Sequence, residues 1–286
     1  MIENKTIITK EIEDDIEKSN EKLLKKYKNK ESVDLAIVGE IKTMNCGEEA
    51  KIIKYYGCCD VLVQFKNSGE IIKTNYGNFK NKNVKSHFSP SVLGKGIVGN
   101  EDTKINGKHI ESYKIWRSML NRCYNNEYQI KHPTYIGCSV CDEWLYYPNF
   151  KKWYDENHYT IKGNIVDLDK DIIVKNNKIY SPDTCVFVPQ NINKLFTKRN
   201  KYRGELPIGL SYDKKSGGKV RAQITINGTR KSLGFFPNTQ KGIQEAFQTY
   251  KFSKEKYIKQ IADEYKNIIP DKLYKAMYNY EVEIND

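Results

Sequence analysis

The feature that most constrains the fold lies in the second half of the chain, where three β-rich runs precede a long helical pattern. These runs fall in 208–236, and the turn-forming sequences KKSGG and NGT separate them. In the second run apolar residues alternate with polar ones, Val220, Ala222, Ile224 and Ile226 against Arg221, Gln223, Thr225 and Asn227. Since alternate residues of a strand point to opposite faces, we expect a three-stranded sheet with one packed face and one open polar face.

The helical pattern after the third run supplies the packing partner of this sheet. Apolar residues recur in it at helical spacing, and Pro270 marks its end. The residues are Ile243, Ala246, Phe247, Tyr250, Tyr257, Ile261 and Tyr265. We therefore expect a compact domain over 201–270, followed by a tail over 271–286.

The positive charge of the chain is concentrated in the same region. The 286 residues carry a formal net charge of +12, and the stretch from Gln190 to Gln260 holds 16 Lys and Arg against 4 Asp and Glu. That surplus equals the net charge of the whole chain. A solvated basic surface would explain it, but its localisation favours a polyanionic partner, and we expect nucleic acid.

Two segments precede this region in the first hundred residues. An amphipathic pattern predicts a helical arm over 1–35, and its apolar positions are Ile12, Ile16, Leu23 and Tyr27. Over 36–100, short β-rich runs separated by YGCCD and NSG predict a small antiparallel sheet or barrel.

The middle segment, 105–200, combines short helices with a hairpin. Four residues share one face of its first helix, namely Tyr113, Trp116, Leu120 and Cys123. A second helix begins near Pro148, the sequence LDKDIIVKNNKIYSPDTCVF predicts a hairpin, and a third helix follows Pro189. The fold class expected for the whole chain is therefore α+β with several domains.

Composition limits the class of protein. An apolar content of 38% with 21 tyrosines is typical of a folded chain, not of a disordered one. There is no apolar run of about 18 residues and no apolar signal segment at the start, so we expect a cytoplasmic protein without a membrane partner. No sequence feature indicates an oligomeric state.

The seven cysteines are predicted to be reduced thiols or metal ligands, because the number is odd and no secretion signal accompanies them. Cys138 and Cys141 have the spacing that lets two thiolates reach one zinc ion. With Cys123 and Cys185 they are a candidate structural zinc site, and the alternative is a set of buried apolar thiols.

Several of these sequences carry a family resemblance. The segment from IGLSYDKKSGGKVRAQITINGTRKSLGFF into the following helix resembles the APETALA-two type DNA-binding domain. Upstream, YKIWRSMLNRCYN, CDEW and YSPDTC are similar to phage HNH endonucleases, which are often fused to such a domain, and 47–99 more weakly resembles a small β-barrel module of phage proteins. The resemblance implies a phage-encoded protein of homing-endonuclease type, acting on double-stranded DNA in the host cytoplasm.

The resemblance and the strand pattern together give candidate DNA contacts. Arg, Gln and Thr side chains can reach base edges in the major groove, and Lys and Arg neutralise phosphates. The candidates are Arg221, Gln223, Thr225, Arg230 and Lys231, which we expect on one face of the sheet. Taken singly, each is also explained as an ordinary surface residue.

HNH enzymes cleave phosphodiester bonds with one divalent metal and a base that activates water. By the resemblance, Asp169 corresponds to the metal-binding carboxylate of the hairpin and Asn193 to a polar position on the next helix. Lys170 stands where many members have the histidine base, and Thr184 where they have asparagine. Both are departures from the family, and His158, just before the hairpin, is the stand-in base unless it is an ordinary partly exposed histidine.

Asp167 and Asp171 flank Asp169, and strand alternation would project all three from one face. Three carboxylates favour a hard cation such as Mg²⁺ or Mn²⁺. A solvated strand edge with Lys170 and Lys175 as counterions is the alternative explanation.

The leading hypothesis is a metal-dependent DNA endonuclease or nickase, with a β-barrel module, an HNH-like ββα-metal core over 105–200 and a DNA-binding sheet. The rival is a regulatory or counter-defence DNA-binding protein on a nuclease scaffold that has lost its base. A protein-interaction adaptor with a basic tail is a third possibility.

Overall fold

A computed structural model describes residues 9–34, 36–197, 205–213, 217–284 and 286, and it has the expected mixed α+β character. In chain order its elements are α1 (Lys10–Tyr27), β1 (Ile41–Thr43), β2 (Glu49–Tyr55), β3 (Val61–Phe65), β4 (Ile71–Thr74), α2 (Tyr76–Lys80), β5 (Lys104–Ile105), β6 (Lys108–His109), α3 (Glu111–Tyr124), α4 (Asn126–Lys131), β7 (Ser139–Val140), α5 (Asp142–Leu145), α6 (Tyr147–Asn157), β8 (Val166–Asp169), β9 (Ile179–Tyr180), β10 (Val186–Pro189), α7 (Gln190–Asn193), β11 (Leu210–Asp213), β12 (Lys219–Ile226), β13 (Thr229–Phe236), α8 (Gln240–Tyr265) and α9 (Asp271–Tyr278). Short 3-10 turns cover Pro133–Tyr135 and Lys194–Phe196.

The chain divides into two compact units. Unit 1 takes its described residues from 1–156 and 178–181, and unit 2 takes them from 157–177 and 182–286. This division cuts across the five segments predicted from the sequence, because 105–200 contributes to both units.

After α1, unit 1 contains a four-stranded antiparallel sheet in the order β1-β2-β3-β4. Its core contains Ile52, Val61, Val63 and Phe79, all fully buried. Within the described residues the sheet is open and β1 and β4 are its edges, so the predicted barrel is not closed.

Helix α1 lies within the predicted arm of 1–35 and is packed as part of unit 1. Ile12 and Ile16 pack with Phe88, Ile97 and Tyr146 in one buried cluster. The side chain of Asn20 on α1 also forms two hydrogen bonds to the chain around β4. Its Oδ1 accepts from the backbone N–H of Ile71 at 2.7 Å, and its Nδ2 donates to the carbonyl of Gly69 at 3.0 Å.

The remainder of unit 1 packs aromatic residues of α3, α5 and α6. Trp116 and Trp144 are both fully buried, and Trp116 Nε1 donates to the carbonyl of Trp144 at 2.7 Å. Tyr113, Trp116, Leu120 and Cys123 share the buried face of α3, as the helical spacing predicted. Strand β9 returns to this unit and pairs in parallel with β7.

Unit 2 is built on the long helix α8, which contributes to two cores. Its first half covers the sheet β11-β12-β13 through Ala246, Phe247 and Tyr250. Its second half packs through Ile258 and Ala262 against β10, α7 and α9. The three strands and the helix predicted over 208–265 are thus confirmed.

The predicted tail is an ordered part of unit 2. Helix α9 starts after Pro270 and buries Leu273 and Met277 completely, and Val282 beyond it joins the core under the sheet. The sequence signal was present, since a proline followed by apolar residues four positions apart is typical of a short amphipathic helix.

Candidate nucleic-acid interface

The sheet of unit 2 has one face on α8 and one face that α8 leaves uncovered. On β12, Val220 and Ala222 are fully buried, whereas Thr225 is exposed and Arg221 and Gln223 are partly exposed. We call the second face the outer face. The predicted alternation along β12 is confirmed, and it brings Arg221, Gln223 and Thr225 together.

A two-residue turn fixes how β13 continues the outer face. Asn227 and Gly228 have φ of +50° and +75°, which suits the Asn-Gly hairpin turn and pairs Ile226 with Thr229. Thr225 then lies opposite Arg230, and Ile224 lies opposite Lys231.

Paired residues in a ladder point to the same side of a sheet, so Arg230 belongs to the outer face and Lys231 does not. Ile224, the partner of Lys231, is only 3% exposed and packs in the core toward α8. The prediction that Lys231 shares a face with the other four residues was therefore wrong. The Asn-Gly turn, which is visible in the sequence, sets the register that places Arg230 and Lys231 on opposite faces.

The outer face also contains residues that the sequence did not suggest. On the neighbouring strand β11, Ser211 lies opposite Arg221. On the other neighbouring strand, β13, Ser232 lies opposite Gln223 and Phe235 lies opposite Arg221. Phe235 is 49% exposed, so its ring is accessible on the outer face. Its position depends on a β-bulge between Ala222 and Gln223, and Gly234 inside the third run is the sequence signal that could have marked it.

The charges of the outer face lack acidic partners in the described part of the chain. No ion pair among the described residues includes Arg221 or Arg230. Gln223 Nε2 donates to Ser211 Oγ at 3.2 Å, but Gln223 Oε1 and Arg221 Nε have no hydrogen-bond partner among the described residues, although both are shielded from solvent. Shielded polar atoms without partners are uncommon in folded proteins, and a bound ligand or water is one way to satisfy them.

The second candidate site is the loop that follows β8. Strands β8 and β10 pair antiparallel, with Asp169 opposite Val186, and α7 follows β10 directly and packs on it. The predicted hairpin and its following short helix are confirmed as elements. Their connection is long, however, because 170–185 includes β9, which pairs in unit 1.

Asp169 ends β8 and holds the loop in a tight turn. Its Oδ1 accepts backbone N–H bonds from Asp171 at 2.9 Å and from Ile172 at 2.8 Å. Burial, together with the nearby Asp171 carboxylate, raises the pKa of Asp169 to about 6. The carboxyl therefore has a structural role in the turn, and Oδ1 is already occupied by the two N–H groups.

Lys170 is a buried donor and not the general base considered from the sequence. Its side chain is 8% exposed, and Nζ donates to Asp171 Oδ2 at 2.9 Å and to the carbonyl of Asn177 at 3.1 Å. Asn177 returns a bond from Nδ2 to the carbonyl of Lys170 at 2.7 Å. Two oxygen acceptors suit an ammonium group, whereas a base would need its lone pair directed at water.

The other predicted members of the site are not assembled around Asp169. Strand β8 stops at Asp169, so strand alternation does not place the half-exposed Asp171 with Asp167. Asn193 lies at the end of α7, and no described hydrogen bond joins it to Asp169.

His158 is also separated from Asp169. Its ring packs edge-on against Phe187 at 5.0 Å between centroids, and Phe187 pairs with Leu168. Since Leu168 and Asp169 are adjacent on β8, their side chains point to opposite faces, and His158 lies on the face away from Asp169.

The metal sites predicted from the sequence can be tested for fit. Within the described residues no group of three or more His, Cys, Asp or Glu side chains is placed to hold a metal ion. A structural zinc site needs four such ligands, so Cys123, Cys138, Cys141 and Cys185 do not fit one. Mg²⁺ needs only one or two carboxylates when substrate phosphate and water complete its shell, and Asp169 Oδ2 could supply one.

Three of the four cysteines considered for zinc are instead buried in their units. Cys123, Cys138 and Cys185 are each at most 6% exposed, and all seven cysteines lack disulfide bonds. Burial raises the pKa of the partly exposed Cys141 thiol, which favours the protonated form.

Comparisons of the chain with family models, with curated proteins and with solved structures gave no match. Among the helices of the described residues, none has the length and apolar character that crossing a bilayer requires.

Proposed function

We propose that the chain binds double-stranded DNA through the outer face of the β11-β12-β13 sheet. The observation that carries this proposal is the grouping of Arg221, Gln223, Thr225 and Arg230 on one open face, with no acidic partner for either arginine among the described residues. A two-stranded or three-stranded sheet fits the major groove, where arginine and glutamine contact base edges. The basic surroundings in 190–260 supply the phosphate contacts.

The neighbouring residues Arg230 and Lys231 provide a matched test. Both are exposed cations on β13, but the register places them on opposite faces. Arg230→Ala and Lys231→Ala each remove one positive charge, so a difference between them reports the face and not the net charge. Binding to a labelled duplex of mixed sequence is measured by fluorescence anisotropy over a series of salt concentrations.

We expect Arg230→Ala to weaken binding about tenfold, which corresponds to a loss of about 1.4 kcal/mol, and Lys231→Ala to change it less than threefold. The affinity of the unsubstituted chain should fall steeply with salt, because binding releases counterions. Equal losses in the two variants would assign binding to general charge, and no binding at low salt would remove the proposal.

A second function, metal-dependent cleavage of DNA, is favoured by one observation. The antiparallel pair β8 and β10 followed directly by α7 has the ββα order expected of an HNH-like core, and Asp169 stands at the end of its first strand. Mg²⁺ or Mn²⁺ bound there would stabilise the charge that develops during phosphodiester hydrolysis. Asn193 and Asp167 are the further residues proposed to assist.

Plasmid nicking separates this second function from simple DNA binding. Asp169→Asn keeps an oxygen acceptor for the turn but removes the charge, and Asp271→Asn, at an exposed aspartate on α9, is the matched control. Nicking with Mg²⁺ or Mn²⁺ that Asp169→Asn abolishes supports the nuclease. Binding without nicking under both metals supports instead the regulatory or counter-defence DNA-binding protein on a degenerate nuclease scaffold.

A further inference from the structure

Two adjacent cysteines in unit 1 lie outside both candidate sites. Cys58 and Cys59 are exposed in the turn between β2 and β3, and their Sγ atoms are 3.6 Å apart. Backbone hydrogen bonds hold the turn, from Asp60 N to the carbonyl of Gly57 at 3.1 Å and from Tyr56 N to the carbonyl of Asp60 at 2.9 Å. The carbonyl of Cys58 also accepts from Tyr76 N at 2.8 Å. The two thiols are thus presented side by side on a fixed backbone.

The reduced dithiol is the stable form of Cys58 and Cys59. Consecutive Cα atoms across a trans peptide are about 3.8 Å apart, below the usual range of about 4.4 to 6.8 Å for disulfides. A bond between adjacent sulfurs would therefore strain the turn. The hydrogen-bonding contact with Cys58 raises the pKa of the Cys59 thiol, which favours the protonated form of Cys59.

The distance between the Sγ atoms of Cys58 and Cys59 limits which sulfur-binding ions the pair could hold. With a bond of about 2.3 Å from ion to sulfur, a linear two-coordinate ion holds its sulfurs about 4.6 Å apart, and a right-angled geometry holds them about 3.3 Å apart. The observed 3.6 Å is closer to the right-angled value than to the linear one. A tetrahedral ion would also accept this separation, but it needs more ligands, and no third His, Cys, Asp or Glu joins the pair within the described residues.

We propose that Cys58 and Cys59 form a chelating dithiol site for trivalent arsenicals. A pyramidal arsenic centre with one organic substituent needs two sulfur ligands at roughly a right angle, which this turn provides. In the reaction of an organic arsine oxide with the pair, two S–H bonds break and two As–S bonds form. The oxygen leaves with both protons as water, and no atom changes oxidation state.

Intact-protein mass spectrometry of the reduced full chain with phenylarsine oxide tests the site. We expect one adduct per chain that survives a large excess of a monothiol and is removed by a dithiol, because two linked bonds raise the effective concentration of the second. Iodoacetamide labelling followed by peptide mapping should show Cys58 and Cys59 protected together.

The chain offers matched controls for this experiment. Cys46 is an exposed single thiol, and the Cys138 and Cys141 pair is the other closely spaced pair. The adduct should be lost in Cys58→Ser and in Cys59→Ser, and kept in Cys46→Ser and in Cys141→Ser. Absence of an adduct in the unsubstituted chain, its persistence in Cys58→Ser, or its loss in Cys141→Ser would overturn the proposal.

Discussion

The two candidate sites of unit 2 differ in whether their charged side chains have ion-pair partners. In the loop after β8, Lys170 and Lys175 each have acidic partners within the fold. On the outer face of the sheet, Arg221 and Arg230 have no ion-pair partner among the described residues. Charges that are satisfied internally hold a loop in place, whereas charges left without partners are available to a ligand. This difference explains why the sheet, and not the hairpin, carries the first function proposed.

The largest expected effect concerns the buried carboxyl of Asp169. Its pKa is 3.8 for an ordinary aspartate and about 6 in the folded chain, so the folded state keeps the proton to a higher pH. Well below pH 4 the carboxyl of Asp169 is protonated in both the folded and the unfolded state, so it does not change the free energy of unfolding. Above pH 6 the folded state holds the charge, at a cost of up to about 3 kcal/mol.

Unfolding in urea at pH 4 to 7 measures this effect. Relative to the unsubstituted chain, Asp169→Asn should gain stability as the pH rises from 4 to 6, because it keeps the turn acceptor without the charge. A stability difference that stays constant across this range would show that the pKa is not raised. The charge would then be an ordinary exposed one.

The next effect concerns the outer face. Combining Arg221→Ala with Arg230→Ala should reduce duplex affinity about a hundredfold, or about 2.7 kcal/mol, and leave the unfolding midpoint within the error of the unsubstituted chain. Stability is expected to be retained because neither arginine has a described ion pair to lose. A loss of stability with little change in affinity would reverse the comparison between the two sites.

Lys170→Met is the complementary change in the loop. It keeps the length of a buried side chain but removes its bonds to Asp171 and to the carbonyl of Asn177. We expect a loss of about 2 kcal/mol in the free energy of unfolding and duplex affinity within twofold of the unsubstituted chain. If affinity falls instead while stability is kept, Lys170 contacts DNA and the loop belongs to the interface.

The smallest effect is expected at Lys175, which pairs with Asp286 at 2.8 Å and with Glu283 at 3.2 Å. Its side chain is 26% exposed, so solvent weakens the pairs. Lys175→Met should lower the free energy of unfolding by about 1 kcal/mol at low salt and by less at high salt. A salt-independent loss would indicate that packing on Tyr280, and not charge, is what the lysine contributes.

The sequence predicted elements better than it predicted sites. Alternation along 219–226 and the helical spacing after 240 decide local structure, because the packed face must be apolar. Lys231 was misplaced although Asn227 and Gly228 set the register, and Phe235 was missed although Gly234, a glycine inside the strand, is a typical signal of the bulge that places it. Asp169 and Lys170 were identified by resemblance, but their roles depend on contacts with Ile172 and Asn177 that spacing along the chain does not reveal.

Helix α8 fixes how the two cores of unit 2 are oriented about one axis. Its 26 residues extend about 39 Å, and after Gly242 it contains neither glycine nor proline. The sheet core packs on it through buried residues as far as Tyr257, and the core of β10, α7 and α9 packs on it through buried residues from Ile258. A single residue inserted between Tyr257 and Ile258 would turn one core about 100° around the axis relative to the other, and any contact made by both at once would lose its spacing.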